Sequence, residues 1–271
     1  MRKTFPVFLA AVSASLAVAG TASAAVELIT NGGFEQTSQG TSVTNGGGQV
    51  GFNGFSVTGW SVPAPNSSPQ FTNSYTFLWG PAAGVSGTDA DTTGVVGEYG
   101  TVELHGPGNG SLNGLTVSPQ GGNFIGADPA FQAPGPISQT LNNLHIGQFY
   151  LLTFDWAAAQ AVCPNCDGTT TEGWQVNFGA QQQSTSPLDT TPNHGFVPWQ
   201  QTAFEFQAGS TTQTLSFLAL GGPGATQPPF ALLDGVSLVE LPEPGTWALM
   251  IMGFGGIGAM VRRRRQQAAL A

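Results

Sequence analysis

The chain has 271 residues, with 39 Gly and 19 Pro, and only 8% of them are charged. All six basic residues lie at the two ends (Arg2, Lys3 and Arg262 to Arg265), so residues 25–241 hold fourteen of the fifteen acids and no Lys or Arg. Nucleic-acid binding draws its affinity from cations set against phosphates, and phosphoryl transfer needs the same cations or Mg²⁺. Both are excluded for want of residues, while 40% hydrophobic content is enough for a sizeable core.

In chain order, residues 1–24 read as a secretory leader. Arg2 and Lys3 precede an apolar stretch from Phe5 to Ala19, and Ala22-Ser23-Ala24 supplies the small-residue cleavage site. Cleavage is expected after Ala24, because an apolar run of about fifteen residues falls short of the ~20 that span a bilayer.

Residues 25–240 then read as one all-β domain, since runs rich in β-branched and aromatic residues recur between Gly, Pro, Asn and Ser clusters. Strands are expected at Ala25–Thr30, Phe52–Trp60, Tyr75–Trp79, Thr101–His105, Ile137–Leu141, Gln148–Trp156, Trp174–Phe178, Phe196–Phe206, Thr211–Leu220 and Phe230–Glu240. In Gln148–Trp156 both alternating faces are largely apolar, which places it at the centre of a sandwich. No stretch of the body sustains a capped 3.6-residue apolar period. About ten strands suit a two-sheet jelly roll. Long Gly- and Pro-rich loops at Gln36–Gly51, Pro63–Phe71, Pro81–Gly94 and Ala180–Gly195 are where binding residues are expected to sit.

Six Trp and three Tyr invite a sugar-binding reading, because flat rings stack on the C–H faces of sugars. Trp60, Trp79, Trp174 and Trp199 border loops, as do Tyr75 and Tyr99, and these six form the candidate platform; core packing is the competing role for each. Cys163-Pro-Asn-Cys166 is the only cysteine pair. In an exported chain it is expected to be a local disulfide, ahead of a one-pair zinc site or free thiols.

Enzyme signatures are poor: G-x-S-x-G, H-E-x-x-H and P-loop patterns are missing. Glu103, Asp155, Glu172 and Glu205 could supply a glycosidase pair only if two of them faced one cleft at about 5 to 10 Å, and Glu103 shares a strand face with His105. Asn66-Ser-Ser and Asn109-Gly-Ser match the glycosylation pattern by chance.

At the C-terminal end, 241–271, Pro242-Glu243-Pro244 precedes an apolar segment, 246–261, and then Arg262, Arg263, Arg264 and Arg265. Sixteen residues make about 24 Å of helix, a thin span, and positive flanks stay on the cytoplasmic side. Gly253 to Gly258 fits G-x-G-x-x-G, but no strand precedes it and no βαβ unit follows, so it is no dinucleotide site. The tripartite tail resembles the PEP-CTERM sorting signal. That resemblance implies export in a Gram-negative bacterium, transient inner-membrane anchoring, processing by an exosortase-type enzyme and a final place at the cell surface or in the extracellular matrix.

A second resemblance rests on two motifs that bracket the body. Leu28-Ile-Thr-Asn31-Gly32-Gly33-Phe34-Glu35 and Ala231-Leu-Leu-Asp234-Gly-Val236-Ser-Leu238 together are similar to the galactose-binding-like jelly roll, a superfamily with many carbohydrate-binding modules. It implies a structural Ca²⁺ where the first and last strands meet, held by Glu35 and Asp234 with backbone carbonyls near Asn31. The alternative is a plain turn at Asn31 and a capping role for Asp234. The function expected is non-catalytic association with exopolysaccharide or envelope glycan. A biofilm-matrix protein without a specific ligand is the alternative, with a glycan-active hydrolase behind it.

Overall fold

A computed structural model describes residues 26–38, 40–41, 47–63, 73–80, 94–131, 135–186, 189–223, 226–242, 252–260 and 262. The leader, Asn66 and most of the loop at 81–94 lie outside these residues, as do Glu243, Pro244 and Arg263 to Arg265 of the tail.

The strands are β1 (Gln36–Thr37), β2 (Gly40–Thr41), β3 (Gly48–Gln49), β4 (Thr76–Trp79), β5 (Val95–Gly97), β6 (Gly100–Val102), β7 (Phe124–Ala127), β8 (Ile137–Leu141), β9 (Phe149–Gln160), β10 (Thr170–Phe178), β11 (Gln181–Ser184), β12 (Asp189–Thr191), β13 (Phe196–Gln207), β14 (Gln213–Gly222) and β15 (Pro229–Glu240). Eight of them form one sheet in the order β13-β9-β15-β7-β4-β3-β5-β6, and a second sheet runs β11-β10-β14-β8 with β12 also paired to β10. Every pairing is antiparallel except β3 with β5, so the body is a two-sheet β-sandwich of the expected class.

The strong period-two segments became the long strands. In β10, Trp174, Val176 and Phe178 are buried while Thr171, Gln175 and Asn177 are only partly covered. Leu215, Phe217 and Ala219 of β14 meet them in the same core, together with Tyr150, Leu152, Phe154 and Trp156 of β9 and Ala231 and Leu233 of β15. Two dozen or so buried apolar side chains at about 1.5–3 kcal/mol each supply the main stabilising term.

A second core lies on the other face of the eight-stranded sheet. Ala157, Ala159 and Ala161 alternate with the inner residues of β9, and Phe77, Trp79, Phe124, Phe230 and Leu232 join them under Val95, Val102, Leu104, Leu115 and Val117. The segment between β6 and β7, with Leu104, Leu115 and Val117, thus packs over this face as an extra layer, and the small Ala side chains leave room for it.

Two expectations are corrected. Phe52–Trp60 is not a strand: Gly51, Gly54 and Gly59 have φ of 93°, 78° and 83°, and a short 3₁₀ turn at Phe52–Gly54 replaces it. Ala25–Thr30 contributes only the single bridge from Glu27 to Val239. The supposed loops at 36–51 and 180–195 contain β1 to β3 and β11 to β12 respectively.

Candidate functional site

The opening motif is folded by hydrogen bonds and by glycine. Asn31 and Phe34 take left-handed backbone, with φ of 56° and 57°, and the Phe34 N–H donates to the Asn31 carbonyl at 3.1 Å. The Val236 N–H donates to the Gly32 carbonyl at 3.0 Å. A Cβ at Gly32 would fall 1.9 Å from the Val236 carbonyl oxygen, so only glycine permits this approach. The clasp brings Glu35 beside the closing motif.

Glu35 Oε1 accepts the Asn123 N–H at 2.6 Å, and Asp234 Oδ2 accepts a short hydrogen bond from the Ser118 hydroxyl. A Cβ built at Gly33 would lie 3.8 Å from Asp234 Oδ1 and 4.0 Å from Glu35 Cγ, so the two side chains flank one glycine. Asp155 is the cross-strand partner of Asp234, and its Oδ2 accepts from Gln120 Nε2 at 3.1 Å. Burial pushes the Asp234 carboxyl up to about 8, and the charges of Glu35 and Asp155 push the same way against the Ser118 and Gly235 donors. Burial also raises Glu35, opposed by the Asn123 N–H. With no Lys or Arg in the body, neither acid has a cationic side chain to neutralise it.

Two oxygens here have no partner. Asp234 Oδ1 and Asn123 Oδ1 are both buried without a hydrogen bond, an arrangement that costs about 1–3 kcal/mol per group unless something else satisfies it. Carboxylate and amide oxygens are hard ligands of the kind Ca²⁺ takes, so the donor set of Glu35, Asp234 and Asn123 fits that ion. Among the described residues, no three His, Cys, Asp or Glu side chains converge as a metal-binding group; the fit depends on the amide oxygen as third donor. The Asn31 side chain is a staple of the opening loop. It donates to the Gln36 and Thr58 carbonyls at 2.9 and 3.0 Å and accepts the Gln36 N–H at 2.9 Å, while the Asn31 carbonyl takes the Trp60 indole N–H at 2.9 Å.

The aromatic platform is not assembled. Trp60, Trp79 and Trp174 are buried, with Trp60 and Trp174 in the inter-sheet core and Trp79 in the second core. Trp174 donates its indole N–H to the Leu232 carbonyl at 2.9 Å. Trp199 packs edge-on to Phe124 and donates to the Thr116 carbonyl at 2.9 Å. Tyr75 lies among Phe77, Phe131 and Phe230. Tyr99 is 48% exposed, with its ring edge-on to Phe131 at 6.1 Å. The physical reasons are two: the packing of the two sheets encloses Trp60 and Trp174, and the extra layer on the other face covers Trp79, with Tyr75 and Trp199 packed against it.

Cys163 and Cys166 form a disulfide, with Cα atoms 5.3 Å apart. Beside it the rings of His105 and His194 stack with centroids 4.0 Å apart, and Asn113 Nδ2 donates to both backbone carbonyls, at 2.6 and 3.1 Å. Burial, then the neighbouring ring, lowers the His105 pKa. His105 is therefore engaged with His194, not paired with Glu103 for catalysis. Asp155 and Glu172 are buried and Glu205 is exposed on β13.

The family profile described as Protein of unknown function (DUF642) matches residues 91–229, half of the chain. The chain belongs to the DUF642 family. The PEP-CTERM protein-sorting motif matches residues 240–265, so this DUF642 body carries the tail of an exported, surface-sorted protein. The described part of that tail, Met252 to Met260, is helical; no helix among the described residues is long and apolar enough to cross a membrane.

No curated protein matches this DUF642 chain. Among solved structures it is similar to TmCBM61, determined with β-1,4-galactotriose, at 13% identity and TM-score 0.39, covering 80% of this chain and 99% of that one. The CBM22-1 xylan-binding domain of Paenibacillus barcinonensis Xyn10C has 10% identity and TM-score 0.30 over 52% and 81% of the two chains. The N-terminal cellulose-binding domain of Cellulomonas fimi β-1,4-glucanase C has 22% identity and TM-score 0.24 over 45% and 79%. These scores are too low to assign a ligand to the DUF642 body.

One surface was missed by the aromatic reading. The solvent face of the five-stranded sheet carries Thr140 of β8, Thr171, Gln175 and Asn177 of β10, and Thr214 and Ser216 of β14, all partly or fully exposed. The registers Asn177↔Ser216 and Thr140↔Thr214 place them in cross-strand rows, and Asn177 Nδ2 donates to Ser216 Oγ at 3.4 Å. Thr171-Glu-Gly-Trp-Gln-Val-Asn-Phe178 already shows the alternation in sequence.

Proposed function

We propose that this DUF642 protein is a non-catalytic, surface-sorted module that associates with exopolysaccharide or envelope glycan through the outer face of its five-stranded sheet. The observation that carries the reading is the chemistry of that face: hydroxyls and amides, with Leu218 and Leu220 continuing the β14 row beside Gln175, and no acid among them, on a body whose net charge is strongly negative. Hydroxyl and amide groups both donate and accept, which matches sugar hydroxyls, and an uncharged patch spares an anionic polysaccharide the repulsion met elsewhere on the body. A bound Ca²⁺, held by Glu35, Asp234 and Asn123, belongs to the same proposal and supplies positive charge that the body otherwise lacks. Processing of the tail by an exosortase-type enzyme in a Gram-negative host, after transient anchoring, would deliver the body to the matrix.

The test is retention of residues 25–241 on neutral and acidic glycan arrays, with a Gln175→Ala/Asn177→Ala/Ser216→Ala variant beside the wild type. The variant is expected to bind at least tenfold more weakly. Absence of retention at millimolar glycan, or equal binding by both proteins, refutes the assignment.

A further inference from the structure

Both ends of the body leave the sandwich at one place. Glu27 bridges to Val239, the Leu28 N–H donates to the Leu238 carbonyl at 3.0 Å and the Leu241 N–H donates to the Phe149 carbonyl at 2.8 Å. The N-terminal segment, the start of β9 and the end of β15 therefore form a single rim. Exposed apolar side chains gather on it: Val26 is 67% exposed, Ile146 65% and Phe149 45%. The acids of this rim are already engaged. Glu27 accepts from the Ile29 and Leu238 N–H groups at 2.8 and 2.9 Å, and Glu240 Oε2 lies 2.8 Å from His145 Nδ1 and accepts from the Tyr150 hydroxyl at 3.3 Å.

We infer that this rim is a membrane-docking face that seats the body on the bilayer interface while the tail is still attached. The inference rests on the proposed insertion of 246–261. Between Leu241 and Thr246 there are only Pro242, Glu243, Pro244 and Gly245, five residue steps, or at most about 17 Å of extended chain. A body of this size has a radius of gyration of about 17 Å, so the tether is no longer than the body's own radius. One end must then face the bilayer, and the chain path makes it the end that carries Leu241. The occupant is accordingly the lipid headgroup and acyl boundary, where exposed apolar side chains partition favourably. Docking holds Pro242-Glu243-Pro244 at the membrane surface, where a membrane-embedded processing enzyme must reach it. β9 runs away from this rim for eleven steps, about 36 Å at ~3.3 Å each, to Gln160, beside the His105–His194 pair, which marks the distal end.

The experiment uses the full chain after leader removal, reconstituted in vesicles of three parts phosphatidylethanolamine to one part phosphatidylglycerol. Nitroxide labels at Ile146→Cys, Leu112→Cys and Ile257→Cys, one per protein, are read by accessibility to lipid-soluble oxygen against a water-soluble nickel complex. Leu112 is 99% exposed and follows the distal His105. Ile257 lies in the tail helix. The expected result is lipid-side accessibility at Ile257 and at the headgroup boundary for Ile146, with Leu112 in water and at least a tenfold difference in the oxygen-to-nickel ratio between Ile146 and Leu112. If Ile257 is in lipid but Ile146 is as wet as Leu112, docking is wrong and anchoring stands. If Ile257 is in water, anchoring fails and docking with it. If Ile146 is wet in vesicles yet protected in cells, the rim meets a protein partner and the membrane assignment is overturned.

Discussion

The Glu35–Asp234 pair gives the sharpest test of the structural reading. Burial in the fold raises the Asp234 carboxyl from 3.8 to about 8, and a tenfold shift in a proton equilibrium is worth about 1.36 kcal/mol. Its ionised form is thus disfavoured in the folded, metal-free protein by an amount on the order of 5 kcal/mol, an upper bound because the surroundings relax. The sign follows from linkage. The folded state holds this proton where the unfolded chain has lost it, so metal-free stability is complete below about pH 4 for this group and declines as the pH rises towards 8. Ca²⁺ reverses the trend, since it binds the ionised carboxylates: at a hundredfold excess over Kd it adds about 2.7 kcal/mol. For a domain of this length that is a rise in Tm of roughly 5–10 °C, and it shrinks as acid protonates the ligands. The assay is thermal melting of residues 25–241 at pH 5 to 8.5, with Ca²⁺ and with chelator, for wild type and Asp234→Asn. The variant should lose the Ca²⁺ increment and part of the metal-free pH slope while remaining folded. A wild-type Tm unmoved by chelation after verified metal removal refutes the Ca²⁺ site; a metal-free Tm that is flat from pH 5 to 8 refutes the buried-acid argument itself.

Other predictions follow from packing and covalent structure. Trp79→Ala, in the second core, should destabilise by about 3–5 kcal/mol in urea unfolding while leaving the glycan affinity of the folded fraction unchanged; a selective loss of affinity would return Trp79 to a binding role. Cys163→Ser/Cys166→Ser closes no loop, and for a four-residue ring the chain-entropy term is about 2 kcal/mol, so a shift in midpoint of more than twice that would show that the disulfide holds more than its own turn. Intact mass of protein recovered from the cell surface should lack residues 1–24 and Arg262 to Arg265; a final form that retains the four arginines rules out tail processing.

Much of the sandwich was legible because its long strands alternate cleanly. Gln148–Trp156 was placed at the centre from its two apolar faces, and it is the start of β9, hydrogen-bonded to β13 and β15. Phe124–Ala127 went unseen: Phe-Ile-Gly-Ala is a four-residue apolar run without alternation, and such a run takes its conformation from the strands on either side. The carboxylate pair was legible from two local motifs, but the groups that complete its surroundings were not. Asn123 and Ser118 stand 88 and 116 residues from their partners Glu35 and Asp234, and only the layer that folds over the sheet brings them there. That layer also explains part of the aromatic error. Trp79 and Trp199 flank loops in the sequence, which favours exposure, yet Trp79 is buried among Phe77, Phe124 and Phe230, and Trp199 packs on Phe124 and donates to the Thr116 carbonyl.

The absence of Lys and Arg from the body has a structural consequence beyond solubility. Asp128 and Glu172, like Asp234, are buried, and burial raises each of the first two to about 7. The two N–H groups of Ala130 and Phe131 oppose the shift at Asp128. At Glu172 the opposing donors are the hydroxyls of Thr170 and Thr191, and Glu172 Oε1 is left without a partner. In most proteins such an acid would be met by an arginine, which fixes its charge across the whole neutral range. Here the only available neutralisers are protons and bound cations, so the folded state is tied to the pH and divalent-ion content of the compartment it enters. Three acids titrating near neutrality make metal-free folding more favourable in mildly acidic surroundings than in alkaline ones, and Asp234→Asn should therefore leave a residual slope that Glu172→Gln reduces further. An acidic polysaccharide concentrates protons and Ca²⁺ by its own charge, so adding one to the metal-free body at neutral pH should raise its Tm, and a Tm unmoved by it would count against this argument.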